Sequence, residues 1–141
     1  MTIKQISLFL ENKFGRLSEL LAILSKADVH IVSASIADTS DYGLMRLITS
    51  DQQKAYNVLK DNGVLVSMNE VVAIAIEPLA ADFARVVELF TRRGVSIEYM
   101  YCFNFQKKLV LVMRCNDLDA VREVVRNNSL TFVSETDLMK V

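Results

Sequence analysis

The sequence repeats itself at a constant shift of 66 positions, and no other feature limits the possible folds so sharply. Leu17, Leu20, Leu21 and Leu24 fall at i, i+3, i+4 and i+7, one face of a helix, and Phe83, Val86, Val87 and Phe90 repeat that spacing. Ala55, Val58 and Leu59 return as Val121, Val124 and Val125, while Val29 and Ile31 return as Val95 and Ile97. One register kept through three separate elements marks a tandem duplication, with the copies expected at residues 1–69 and 70–141.

Each copy reads strand, helix, strand, strand, helix, strand. The first is expected to place strands at 2–10, 30–38, 43–50 and 64–69, with helices at 16–27 and 51–62. The second is expected to place strands at 70–77, 95–105, 108–115 and 130–135, with helices at 79–93 and 117–128. The glycines at 15, 43, 63 and 94 all fall at expected boundaries, Pro78 stands where a strand gives way to a helix, and Asp51 suits an N-cap. Two β-α-β crossovers joined by a hairpin give a ferredoxin-like (βαββαβ) sandwich, so the expected class is α+β, two such sandwiches in tandem. The run VVAIAI, residues 71–76, is apolar on both faces, and no linker rich in glycine, serine or proline separates the copies. The copies are therefore expected to pack together.

Composition removes several functional classes. The chain is 52% hydrophobic, yet no apolar run approaches the roughly 18 residues of a membrane span. The start, MTIKQISLFL, has no basic n-region or cleavage site, so a cytoplasmic setting is expected. A net charge of −1 without any basic cluster argues against nucleic acid. Cys102 and Cys115 lack metal-ligand spacing and are expected to be buried thiols.

The fold alone does not give function. The third strands, GLMRLITS and KLVLVMRC, carry no aromatic residue of the kind that RNA-recognition domains present on their open face. The first loops lack the cysteine pair a metal carrier needs. His30 is the only histidine, no nucleophile or phosphate-loop pattern occurs, and Asp38 and Asp41 flank a hairpin turn. Neither catalysis nor a cofactor is expected.

The stretch LENKFGRLSELL, residues 10–21, is the exception. A helix N-terminus exposes unpaired amides and partial positive charge, which suits a carboxylate. Asn12 can both donate and accept hydrogen bonds, and Gly15 lets backbone come close to a ligand. A turn or helix cap would also explain Asn12, and a tight turn alone explains Gly15. His30 is expected at the same end of the sheet as this loop, and Arg16 either meets a ligand carboxylate or lies in solvent.

At L-E-N-K-F-G-R-L (10–17), D-V-H-I (28–31) and S-I-A-D-T-S-D-Y-G (35–43) the chain resembles the ACT domain, a regulatory module that binds amino acids. In the second copy, G-V-S-I-E-Y-M-Y-C-F (94–103) fits the matching segment. Together the copies are similar to the stand-alone tandem ACT proteins of bacteria. The resemblance implies a free amino acid as ligand, held at an ACT–ACT interface by Leu10, Glu11, Asn12, Lys13, Phe14, Gly15, Arg16 and Leu17. In serine-sensing members a second asparagine enters strand two, and His30 stands there, followed by Ile31. Phe14 stands where the family usually has proline. Pro78 and Ala81 replace Asn12 and Gly15 in the second copy, so that copy is expected to offer only a wall, Ser96, Ile97, Tyr99 and Met100. A homodimer and a metabolic enzyme as partner are further implications. The competing expectation is a structural module that only dimerises and binds no ligand.

Overall fold

The computed structural model describes residues 1–11, 13–38 and 41–140. Two compact units result. The first holds Lys4–Asn69 and the C-terminal residues from Glu135, and the second holds Met1–Ile3 and Glu70–Ser134. The chain ends thus belong to the opposite units from those a split into 1–69 and 70–141 predicts. Burial holds the ends there, with Ile3 at 1% and Leu138 at 2% exposure, and side-chain contacts accompany it: Lys4 N–H donates to Glu135 Oε1 at 2.7 Å, and Arg122 Nε approaches Met1 Sδ at 2.8 Å.

In the first unit β1 (Thr2–Glu11) leads to α1 (Arg16–Lys26), β2 (Ile31–Asp38), β3 (Tyr42–Thr49), α2 (Gln52–Asp61) and the start of β4 (Val66–Ile76). The strand order is β2-β3-β1-β4, with β3 antiparallel to both β1 and β2. Alternation sends Ile6 and Leu8 of β1 and Met45 and Leu47 of β3 to one face, where Leu20 and Leu24 of α1 and Ala55 and Leu59 of α2 close the core. Leu17 and Leu21, predicted on the same buried face as Leu20 and Leu24, remain 38% and 39% exposed. Buried Gln5 points its amide N–H to Ser7 Oγ at 3.0 Å, and that hydroxyl donates to Asn69 Oδ1 at 2.8 Å.

The second unit continues β4 and adds α3 (Ala80–Arg93), β5 (Ile97–Phe105), β6 (Lys108–Cys115), α4 (Leu118–Asn127) and the short β7 (Thr131–Phe132). Its order is β7-β4-β6-β5. A last helix, α5 (Glu135–Leu138), was not expected from the sequence pattern. Val72, Ile74, Leu111 and Met113 meet Val86, Phe90, Val121 and Val125 in the core. Val71 and Ala73, on the other face of β4, are buried as well. The fold is therefore α+β and built of tandem ferredoxin-like repeats. Two details depart from expectation. β4 is one strand where the pattern predicts two, because SMNEVVA contains neither glycine nor proline to break the strand. Gly43 lies inside β3 opposite Leu10, and of the four glycines the other three, Gly15, Gly63 and Gly94, take positive φ.

Candidate functional site

The β1–α1 junction is a tight turn. Lys13 N–H donates to the Glu11 carbonyl at 2.8 Å, and Arg16 N–H to the Lys13 carbonyl at 3.2 Å. Gly15 is the N-cap of α1 at φ 85°, a conformation that disfavours any Cβ, although a Cβ there would meet nothing within 4 Å. Backbone geometry, and not crowding within the chain, demands this glycine. Among the described residues no side chain caps the helix. Asn12, the residue expected to hold the ligand, lies outside the described residues. Phe14 is fully exposed.

Charges knit the turn together. Arg16 donates to Glu19 Oε2 at 3.1 Å and to Glu11 Oε1 at 3.5 Å, and Lys13 Nζ lies 3.0 Å from Glu11 Oε2. The Lys13 bond, helped by the Arg16 charge, holds the Glu11 carboxyl below its usual range, and Glu19 followed by Glu11 raises Arg16. All four side chains are open to water, so these pairs contribute little to stability.

Beside the turn is a cleft of about 330 Å³. Leu10, Glu11 and Arg16, three of the residues singled out in the sequence, line it together with Glu19, Leu20 and Ile23. The far side comes from Asn62, Gly63, Val64 and Leu65, which sequence reasoning missed. Topology supplies the signal. α2 runs back alongside the sheet, so its end reaches the end of the sandwich where β1 stops.

The same topology corrects the placement of His30 and Ile31. Leu10 pairs with Gly43, which pairs with Asp38, whereas Ile31 pairs with Thr49, six residues further along β3. At about 3.3 Å per residue, His30 enters β2 roughly 20 Å from the loop, at the opposite end of the sheet. Parallel strands joined by a crossover helix start at the same end, so the start of β2 lies beside the start of β1 and not its exit. His30 is exposed, and its backbone clasps Ser50: His30 N–H donates to Ser50 Oγ at 3.0 Å, and Ser50 N–H to the His30 carbonyl at 2.9 Å.

In the second unit Ser96 occupies the position of His30 and repeats the clasp with Asn116, at 2.9 and 3.2 Å. Ile97 and Met100 pack against the core, and Tyr99 pairs with Arg114 in the β5–β6 register. Cys102 is exposed, contrary to the expected burial, because β5 is an edge strand. Burial, with the Glu98 charge behind it, pushes the half-buried Cys115 thiol up to about 11. Among the described residues there is no cluster of metal-ligating side chains, and no helix is long and apolar enough to cross a membrane.

The family described as an ACT domain pair matches residues 1–141. A crystallised protein from Bacteroides thetaiotaomicron is 37% identical over 100% of this chain and 98% of its own, with a TM-score of 0.93. The ligand-free regulatory subunit of aspartate kinase from Thermus thermophilus covers 86% of this chain and 91% of its own at 16% identity and a TM-score of 0.59. The corresponding Thermus flavus subunit covers 87% and 90% at 17% identity and 0.58. These two likenesses concern the fold alone. No curated protein matches the chain in sequence.

Proposed function

Because the chain belongs to the family of ACT domain pairs, a family of regulatory modules, we propose that it binds a free amino acid at an ACT–ACT interface and signals through its own oligomer or a metabolic enzyme. The whole-length family match carries this reading. The junction at 10–17 supports it, since α1 begins at a left-handed glycine and, among the described residues, has no side-chain cap. The protein then acts as a cytoplasmic sensor without catalysis of its own.

The position of His30 supports a homodimer. A loop cannot reach a histidine roughly 20 Å away at the far end of its own sheet. β2 is an edge strand, and antiparallel pairing with β2 of a second copy would carry that copy's His30 and Ile31 toward the loop. Exposed Ile36 at 44%, with Leu17 and Leu21, supplies apolar surface for such a contact.

A thermal-shift screen of the standard amino acids tests the proposal. One of them should raise Tm by several degrees, since ligand at 100 times Kd stabilises by about 2.7 kcal/mol. Asn12→Ala should weaken that ligand about tenfold, the loss of a hydrogen bond to a charged group. A dimer in sedimentation whose Tm no amino acid moves would instead identify a module that only assembles.

A further inference from the structure

We propose that the cleft between the β1–α1 and α2–β4 junctions receives the side chain of the bound amino acid and selects a branched aliphatic one, an inference that rests on the amino-acid-binding reading above. The cleft measures about 330 Å³, at the small end of the roughly 300–1,000 Å³ of ligand sites, which suits one amino acid and not a nucleotide. Its lining is divided by chemistry. Leu10, Leu20, Ile23, Val64 and Leu65 give apolar surface, while the guanidinium of Arg16 and the carboxylates of Glu11 and Glu19 stand together at the turn.

Both signs of charge on one side match a zwitterion, with Arg16 facing its carboxylate and Glu11 or Glu19 its ammonium. The mutual ion pairs of these residues are exposed at 43%, 56% and 66%, so a ligand can replace them at little cost. On the apolar side Asn62 has one amide N–H committed, donating to the Val58 carbonyl at 2.8 Å. A polar ligand side chain would lose water against the surface of Leu10, Leu20, Ile23, Val64 and Leu65, whereas an isobutyl or isopropyl group would shed unfavourable hydration there.

Calorimetry on the full chain with leucine, valine, serine, aspartate and lysine tests the assignment. Leucine or valine should bind at least about tenfold more tightly than serine. Leu65→Asp, at a position 72% exposed, should weaken leucine by about tenfold and serine much less. Val64→Thr, which keeps the volume and adds a hydroxyl, should act in the same direction and provides the measurement if Leu65→Asp does not fold. Binding of serine as tight as that of leucine, or leucine binding unchanged in both variants, would overturn the pocket assignment while leaving amino-acid binding intact. No binding of any amino acid would overturn the functional proposal, and this inference with it.

Discussion

The two strand-to-helix junctions share a backbone and differ in charge. Lys13 donates to Glu11 and Leu79 to Glu77, both at 2.8 Å, and Arg16 to Lys13 and Asp82 to Leu79, at 3.2 and 3.1 Å. The side chains on that common turn are reversed: Arg16 and Glu19 in the first unit become Asp82 and Arg85 in the second. Asp82 lies in the first turn of α3, accepts the Glu77 N–H at 2.9 Å and holds Arg85 at 2.9 Å. An anion therefore already occupies the positive end of α3. At α1 the equivalent residue is a cation, which opposes the helix dipole and is offset by its exposed pairs with Glu19 and Glu11. Ala81, where the first copy has Gly15, also lets α3 begin at Ala80, two positions earlier in the repeat than α1. Duplication kept the turn, and divergence closed one junction with its own carboxylate.

The comparison breaks most easily in the cores. Leu24 and Phe90 are equivalent and buried, at 2% and 0% exposure. Phe90→Ala should cost about 3–5 kcal/mol and Leu24→Ala about 2–5, the transfer loss plus the cavity left behind. Urea unfolding followed separately in the two units should show each substitution acting first on its own unit. Equal loss of both at every urea concentration would mean the units unfold as one.

A smaller effect sharpens the equivalence. Asp51 accepts Lys54 N–H and Asp117 accepts Ala120 N–H, each at 3.1 Å, so the caps of α2 and α4 are copies of one device. Asp51→Ala and Asp117→Ala should each cost about 1 kcal/mol. A twofold disparity between the two would show that the caps had diverged as the junctions did.

Much of this was legible from periodicity. The 66-residue shift gives the two repeats, and Asp51 was readable as a cap because the aspartate immediately precedes the amphipathic run. What the sequence hid depended on three-dimensional ends. The distance from His30 to the loop follows from strand direction, and its neighbourhood with D-V-H-I in sequence says nothing about it. The far wall of the cleft, Asn62–Leu65, is remote in sequence from LENKFGRL and meets it only through the return of α2. The buried Gln5 had no periodic signal, since one polar residue in an apolar strand looks like a solvent-facing position. The exchange of the chain ends was equally silent, since Ile3 and Leu138 read as apolar residues without any sign of which unit buries them.

The smallest expected effect separates the junctions by pH. The Glu77 backbone N–H, and then Arg85, hold the Asp82 carboxyl below its ordinary value. Glu11 is also lowered, chiefly by Lys13 and then by Arg16. A carboxylate with a depressed folded pKa adds stability that is complete above its unfolded pKa, about 4, and disappears as pH falls through the folded value. The donors differ in kind. A backbone N–H is fixed by the turn, and the Asp82 side chain is only 20% exposed, whereas Lys13 and Glu11 are 70% and 56% exposed and lose most of their attraction to solvent screening. Asp82→Asn should therefore flatten the acid limb of the Tm–pH curve below about pH 4, by the equivalent of no more than about 1 kcal/mol. Glu11→Gln should flatten it less. Melting curves between about pH 2.5 and 6 decide the matter, because above the unfolded pKa the wild type and Asp82→Asn should differ by a constant amount. An acid limb altered more by Glu11→Gln would mean that the exposed first junction, and not the self-closed second one, carries the stronger electrostatic anchor.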